Sequence, residues 1–214
     1  MYHVKEAFYS LQGEGARAGR ASVFCRFSGC NLWSGREMDR ASAACRFCDT
    51  DFIGTDGQNG GRFVDADALA THLKALWPNH DGAATPYVVF TGGEPLLQLD
   101  ETLIDAMHSH GFEVAVETNG TLPAPAGIDW LCVSPKAATS LALTAGDELK
   151  LVYPQAEAPP ERFTDLDFRH FFLQPLDSAP LTDNTNHLDK TVAYCLSHPQ
   201  WRLSLQTHKI TGID

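Results

Sequence analysis

Three cysteines carry the first chemical signal in this sequence. Cys30, Cys45 and Cys48 form the pattern C-x14-C-x-x-C, with the aromatic residue Phe47 directly before the last thiol. A structural zinc site normally needs four ligands, and no second C-x-x-C or H-x-x-x-H is present to supply the fourth. A redox-active pair at Cys45 and Cys48 is another interpretation. Three thiolates also suit a [4Fe–4S] cluster that keeps one iron open for a small molecule, so the cysteines leave three interpretations open.

The fourteen residues between Cys30 and Cys45 are compatible with one shared site. Lengthening a loop from three residues to fourteen costs about 1.4 kcal/mol of closure entropy, which is small beside a set of metal–thiolate bonds. Ser34 and Glu37 match the S-x-x-E capping box, and residues 37–44 are mostly good helix formers. We therefore predict a short inserted helix over residues 37–44.

Further polar residues follow four predicted strands at the point where each strand ends. They are TGGEP at 91–95, ETNG at 117–120, SPK at 134–136 and QPLD at 174–177. Because parallel strands present ligand-binding loops at their carboxyl ends, we expect these segments to face one pocket. Their glycines would let the backbone approach a ligand, although a tight strand-to-helix turn also needs glycine.

The elements that must position these residues alternate between strand-like and helix-like patterns, which favours an α/β architecture. Short runs rich in valine, phenylalanine and leucine predict strands at 4–10, 22–28, 87–91, 113–118, 130–134, 148–152, 170–174 and 201–206. Helical patterns cover 67–76, 95–109 and 189–198.

The composition limits the class of protein. The chain has 214 residues, of which 43% are hydrophobic, and we expect residues 1–214 to form a single domain. A formal net charge of -11 argues against a protein that wraps duplex nucleic acid. No apolar run approaches a membrane span and the first residues lack a signal peptide, so we expect a cytoplasmic protein. We interpret Cys25, Cys132 and Cys195 as buried structural thiols.

Taken together, the motifs resemble the radical S-adenosylmethionine superfamily, whose usual cysteine spacing is C-x3-C-x-aromatic-C. LQGEG at 11–15, FCRFSGCNLW at 24–33 and CDT at 48–50, with ETNG, SPK and QPLD, are similar to its queuosine-pathway branch. The longer C-x14-C spacing is the main departure. The resemblance implies a partial TIM-like (β/α)6 barrel, a homodimer, and an electron donor such as a flavodoxin or ferredoxin. It implies a carbon–nitrogen lyase that converts 6-carboxy-5,6,7,8-tetrahydropterin to 7-carboxy-7-deazaguanine, a 7-deazapurine, with loss of ammonia.

The same resemblance implies roles for individual residues. No side chain is assigned as catalytic, since a 5′-deoxyadenosyl radical carries the chemistry. Cys30, Cys45 and Cys48 would bind the [4Fe–4S] cluster, and Thr50 would bind Mg2+. S-adenosylmethionine would be held by Gly92, Gly93, Glu117, Ser134, Pro135, Lys136, Gln174, Pro175, Leu176 and Asp177. The pterin would be held by Leu11, Gln12, Gly13, Glu14, Arg26, Thr91, His208 and Asp214.

These roles have plainer alternatives. Glu14 could be a solvated turn acid, Arg26 an exposed strand residue and Thr50 part of a helix cap. The last segment, HKITGID at 208–214, could be frayed or a dimer contact. For the whole protein, the alternatives are a glycyl-radical activase, which shares a small radical S-adenosylmethionine core but acts on a protein, and a zinc-stabilised binding module.

Overall fold

The chain forms nine strands and four α-helices in a computed structural model, which describes residues 1–78, 82, 84–177 and 184–213. The strands are β1 (Tyr2–Leu11), β2 (Ala21–Phe27), β3 (Gly61–Phe63), β4 (Tyr87–Gly92), β5 (Glu113–Thr118), β6 (Trp130–Val133), β7 (Ala145–Tyr153), β8 (Asp167–Pro175) and β9 (Trp201–Leu203). The helices are α1 (Ala66–Leu76), α2 (Glu101–Ser109), α3 (Asn184–Ser197) and α4 (Thr207–Thr211). All eight predicted strands are confirmed, although the last ends at Leu203. The three residues of β3 escaped prediction because so short a run shows no alternation.

All nine strands lie in one sheet, in the order β3-β1-β2-β4-β5-β6-β7-β8-β9. From β2 to β9 the neighbours are parallel and are joined by six crossover connections, whereas β1 is antiparallel to both β2 and β3. Helices α1, α2 and α3 occupy three of these crossovers. Strands β3 and β9 are the two edges, so the sheet is not closed, and the predicted partial TIM-like barrel is confirmed.

Burial on both faces explains why the central strands are almost continuously apolar. In β4, Val88 and Phe90 pack into a core shared with Leu69 of α1 and Leu103 of α2. The alternating residues, of which Val89 is one, belong to a smaller cluster on the other face. Among the described residues, none of the helices has the length and apolar character that a membrane span requires.

The predicted helix over 95–109 is wrong as a single element. A 3-10 turn covers Pro95–Leu97, and α2 begins only at Glu101. Between them, the Gln98 side chain accepts from the His3 N–H at 2.7 Å and donates to the Ser28 carbonyl at 2.8 Å. Asp100 then starts the new helix by accepting from the N–H of Leu103 at 2.9 Å. Tertiary hydrogen bonds and a strong N-cap therefore interrupt a pattern that looked continuous.

The predicted insert between the first two cysteines is helical but shorter and differently capped. It forms a 3-10 helix over Glu37–Ser42 whose N-terminus has no side-chain cap, so the predicted capping box is wrong. The Ser34 hydroxyl instead donates a hydrogen bond to Asp39 Oδ2 at 2.6 Å, and Glu37 Oε1 accepts one from Arg40 Nε at 2.8 Å. Both members of the expected box thus bond to side chains within the insert.

Candidate active site

One cavity of about 500 Å³ opens at the carboxyl ends of the parallel strands. Each of the four predicted segments contributes to its wall, as parallel topology requires. The predicted residues that line it are Leu11, Gln12, Gly13, Glu14, Arg26, Cys45, Cys48, Thr50, Thr91, Gly92, Gly93, Glu117, Ser134, Lys136, Gln174, Pro175, Leu176, Asp177 and His208. The four strand ends therefore face one cavity, as expected from the sequence.

The cysteine loop borders this cavity. Cys45 and Cys48 lie on its wall, and Cys30 lies beside Gly93, where an added Cβ would come within 2.8 Å of the Cys30 Cβ. Over the described residues, no group of three or more His, Cys, Asp or Glu side chains is placed to hold one metal ion. A zinc ion needs its ligands around a single point, whereas thiolates around a cluster bind different irons. Three thiols are one fewer than the four ligands of a structural zinc site, and they suit a [4Fe–4S] cluster with one open iron.

The two thiols of the C-x-x-C segment have pKa values that are shifted in opposite directions. A hydrogen bond from Cys45 lowers the pKa of Cys48 to about 6, against the opposing effect of burial. The same hydrogen bond, reinforced by burial, raises the pKa of Cys45. Since the thiolate is the form that binds metal, Cys48 is the cysteine most easily converted to a ligand.

The two glycines of TGGEP are required by close contact between loops. Gly92 has φ +139°, and a Cβ on Gly93 would stand 2.1 Å from the carbonyl oxygen of Gly29. The next residue, Glu94, is fully buried, and its carboxylate accepts from Thr118 Oγ1 at 2.7 Å and from the Asn119 N–H at 2.8 Å. This short turn therefore fastens the end of β4 to the cysteine loop and to the end of β5.

A buried lysine that the sequence reasoning missed joins two predicted site residues. Lys150 lies on β7, and its Nζ is 2.6 Å from both Glu14 Oε2 and Glu117 Oε2. Burial by itself lowers the pKa of Lys150, but the two carboxylates raise it well above its usual range. The only available signal in the sequence was that Lys150 is a charged residue between the apolar residues Leu149 and Leu151 of β7.

Glu14 is held in place before any ligand arrives. Burial raises its pKa, but Lys150 outweighs that effect and brings it to about 2. Its Oε1 accepts from Gln174 Nε2 and from Gln206 Nε2, both at 3.1 Å. With three of its roughly four acceptor positions in use, Glu14 retains about one for a ligand N–H. The alternative of a solvated turn acid is wrong.

Arg26 presents part of its guanidinium to the cavity. Its Nε donates to Glu6 Oε1 at 2.8 Å, and the side chain is 21% exposed. Within the described part of the chain, no protein acceptor is found for the two terminal nitrogens of Arg26. They are free for a carboxylate, and the alternative of a plain exposed strand residue is wrong.

Thr50 lies on the cavity wall between two aspartates that are already ion-paired. Asp49 Oδ2 is 2.9 Å from Lys209 Nζ, and Asp51 Oδ2 is 2.9 Å from Lys5 Nζ. No helix begins at this segment, so the helix-cap alternative for Thr50 is wrong. Thr50 hydrogen-bonds to Cys48 through both its side chain and its backbone, which helps to lower the pKa of that thiol, so its hydroxyl lies directly beside the cysteine segment on the cavity wall.

Comparisons with known proteins identify the family of this chain. Residues 38–156 match the family model described as the Radical SAM superfamily. A 7-carboxy-7-deazaguanine synthase of Bordetella pertussis is 64% identical over 212 residues, which cover 99% of each chain. One from Caulobacter vibrioides is 61% identical over the same coverage. The chain belongs to the 7-carboxy-7-deazaguanine synthase family. The crystal structure of QueE from Escherichia coli is similar at a TM-score of 0.65 and 26% identity, covering 96% of this chain and 93% of that one.

In this member of the 7-carboxy-7-deazaguanine synthase family, two of the predicted residues that the structure describes, Cys30 and Pro135, are not part of the cavity wall. Cys30 lies next to the wall, as described above. Pro135 sits between two wall residues, and its carbonyl accepts from Gln155 Nε2 at 3.4 Å. Asp214 lies outside the described residues. The remaining prediction for the C-terminal segment is supported by position, since His208 faces the cavity from α4.

The C-terminal helix of this family member is tied down rather than frayed. The N–H of Thr207 donates to the Gly13 carbonyl at 3.0 Å, and Lys209 Nζ is 2.6 Å from Asp177 Oδ2. Residues of helix α4 therefore contact the LQGEG turn, the segment that follows Cys48 and the segment that follows β8. Lys209 could not be recognised from the sequence, because its two partners, Asp49 and Asp177, lie far from it along the chain.

Proposed function

We propose that this chain converts 6-carboxy-5,6,7,8-tetrahydropterin to 7-carboxy-7-deazaguanine with loss of ammonia, as a radical S-adenosylmethionine lyase of queuosine biosynthesis. Membership in the radical S-adenosylmethionine superfamily implies a [4Fe–4S] cluster and S-adenosylmethionine. The observation that carries the proposal is a single cavity bordered by the three-cysteine loop, four strand ends and the LQGEG turn. When bound, the cofactor supplies the radical chemistry; the protein binds, orients and excludes water.

The cofactor side of the cavity is proposed to lie along the four strand ends. Lys136 Nζ donates to the Ser134 carbonyl at 3.0 Å and also to the Ser134 hydroxyl, which places a cation next to a hydroxyl on one short turn. A cation and a hydroxyl suit a carboxylate such as that of the methionine moiety. Carbonyl oxygens of the Gly92 and Gly93 backbone are the groups that would accept from its amino group.

The pterin side is proposed to be the Gln12–Glu14 turn with its ionic partners. Glu14, Glu117 and Lys150 together carry one net negative charge when all are ionised. That charge, with the one free acceptor position of Glu14, suits the N–H groups of a guanidine-like pterin edge. Glu117 stays assigned to the cofactor side, and its Oε1 accepts from Gln12 Nε2 at 2.9 Å, so this hydrogen bond joins the two sides of the cavity.

The carboxylate end of the pterin is proposed to meet Arg26 and a magnesium ion at Thr50. The free terminal nitrogens of Arg26 can form a paired contact with a carboxylate. Mg2+ keeps several waters and takes few protein ligands, so one threonine hydroxyl and a substrate carboxylate are a reasonable set. The flanking aspartates are occupied by Lys209 and Lys5, which is why we leave them out of the ligand set.

A homodimer, a cytoplasmic location and a flavodoxin or ferredoxin as reductant are proposed from the family resemblance, as is a single radical domain over residues 1–214. The LQGEG turn, Arg26 and Thr50 give a small-molecule cavity, and this favours the lyase over an activase that acts on a protein.

The decisive experiment is anaerobic reconstitution with iron and sulfide, followed by incubation with S-adenosylmethionine, a reductant, Mg2+ and the carboxylated tetrahydropterin. We expect a brown protein with about four irons per chain and formation of the deazaguanine product. A colourless protein that holds one zinc would support the binding module instead. A reconstituted protein that cleaves S-adenosylmethionine without turning over the pterin would contradict the proposed substrate.

A further inference from the structure

The insert between Cys30 and Cys45 does more than span the gap, because one of its side chains binds the segment that carries the other two cysteines. Arg40 Nη1 donates to the backbone carbonyl of Arg46 at 2.9 Å and to that of Cys48 at 3.0 Å. Both carbonyls belong to the C-x-x-C turn at residues 45–48. Across the described chain, no backbone N–H donates to either of them. The guanidinium of Arg40 is therefore their hydrogen-bonding partner.

The guanidinium is itself oriented from two other sides. Arg40 Nε donates to Glu37 Oε1 at 2.8 Å and to Oε2 at 2.9 Å. Its guanidinium carbon stands 4.1 Å from the centre of the Trp33 ring, as in a cation–π contact. The planar guanidinium of Arg40 donates hydrogen bonds on two edges and stacks on the Trp33 ring with its face, so it loses little conformational freedom when it binds the carbonyls. A lysine ammonium could not reproduce this set of contacts.

The support for this arrangement reaches back into the fold. Trp33 is 8% exposed and packs edge-to-face on Phe52 with ring centres 5.6 Å apart. The N–H of Ala44 donates to the Leu32 carbonyl at 3.1 Å, which brings the two ends of the insert together. Arg40 is thus oriented by residues that precede Cys45 in the chain, and it binds the carbonyls of residues that follow Cys45.

We propose that Arg40 is a positioning residue for the cluster, holding the Cys45–Cys48 turn in the geometry that binds iron and placing a positive charge beside the thiolate shell. The inference rests on the proposed function, because it requires a cluster at these cysteines. The proposal gives the insert a structural role. A spacer of three residues could not include a residue equivalent to Arg40, whereas the longer loop supplies Arg40, which binds the C-x-x-C turn at the end of the insert.

The test compares Arg40→Gln with Arg36→Gln, an exposed arginine of the same insert. Iron-loaded proteins are challenged with a chelator under anaerobic conditions, and iron release is followed by the loss of cluster absorbance. Because two charge-assisted hydrogen bonds are lost, we expect Arg40→Gln to release iron roughly ten-fold faster than the parent protein. Arg36→Gln should release iron at the parent rate. Equal rates for the two variants would overturn the proposal.

A second readout separates positioning from general stability. Removing a positive charge near the cluster should lower its midpoint potential and alter its electron paramagnetic resonance spectrum, whereas Arg40→Lys should restore the potential without restoring slow iron release. Iron-free Arg40→Gln should melt at the parent temperature. Slow release in Arg40→Lys would show that charge alone suffices and would refute the positioning role.

A third variant covers the case in which Arg40→Gln does not fold. Glu37→Gln leaves Arg40 in place but weakens the carboxylate that orients it, so iron release should fall between the parent and Arg40→Gln. An unchanged rate in Glu37→Gln would overturn the proposal by itself. Failure of the parent protein to take up about four irons would instead reject the proposed function, and the two failures are therefore distinguishable.

Discussion

Replacing Lys150 by methionine tests whether the buried ionic group organises the site. The Lys150 side chain is 4% exposed and its Nζ lies 2.6 Å from each of two carboxylates. Removing one partner of a buried ion pair costs about 3–5 kcal/mol, since the remaining charges lose their compensation. The lowered pKa of Glu14, about 2 against its usual 4.5, has the same sign: burial raises this pKa, and the attraction of Lys150 outweighs burial.

The pH dependence of this loss gives the sharper measurement. Because the pKa of Glu14 is lowered by folding, its contribution to stability is complete above about pH 4.5 and is lost as the pH falls toward about 2. Lys150 stays charged over this range, because its folded pKa is raised. The parent should therefore keep this contribution between pH 7 and pH 5. In Lys150→Met, burial raises the pKa of Glu14, and protonation near pH 5 relieves part of the damage.

The assay is urea unfolding of the iron-free proteins at pH 7 and pH 5. We expect Lys150→Met to be less stable than the parent by about 3–5 kcal/mol at pH 7 and by clearly less at pH 5. In a thermal melt the pH 7 loss corresponds to roughly 6–20 °C for a domain of this size. Lys190→Met, at an exposed position of α3, should change stability by less than about 0.5 kcal/mol. A deficit that is equal at both pH values would refute the electrostatic role.

Three further variants test the site residue by residue. Cys30→Ala should abolish cofactor cleavage while Cys195→Ala, in α3, should not; an active Cys30→Ala protein would show that the long loop joins nothing to the cluster. Thr50→Ala should weaken the response of activity to Mg2+ with the cluster absorbance intact, and loss of the cluster itself would contradict the magnesium role. Arg26→Ala should raise the KM for the carboxylated pterin roughly 10- to 100-fold more than for a decarboxylated analogue. Equal effects on both pterins would rule out a contact between Arg26 and the carboxylate.

The periodic parts of the fold could be predicted because their cause is local. Runs such as YVVF in β4 are apolar throughout since both faces of the strand are buried, and this property is written in the residues themselves. The break in the helix predicted over 95–109 could not be predicted in this way. It depends on the bonds of Gln98 with His3 and Ser28, which are distant in sequence.

The candidate site also has one part that was predictable from the sequence and one part that was not. The motifs by themselves predicted that the cysteines, the four strand ends and the LQGEG turn serve one function. Each motif is a short stretch, and its residue types indicate its chemistry. The sequence could not show Lys150 between Glu14 and Glu117, nor Lys209 between Asp49 and Asp177. A buried or bridging charge is defined by its partners.

The stretch from Cys30 to Cys48 shows both sides of this limit. Its sequence allowed one site for three thiols, because the gap can close at small cost. Only the tertiary structure decided how it closes, because the donor on Arg40 and the carbonyls of Arg46 and Cys48 meet through the packing of Trp33 on Phe52. Ligand type is a property of residues, whereas ligand geometry is a property of the contacts that hold them.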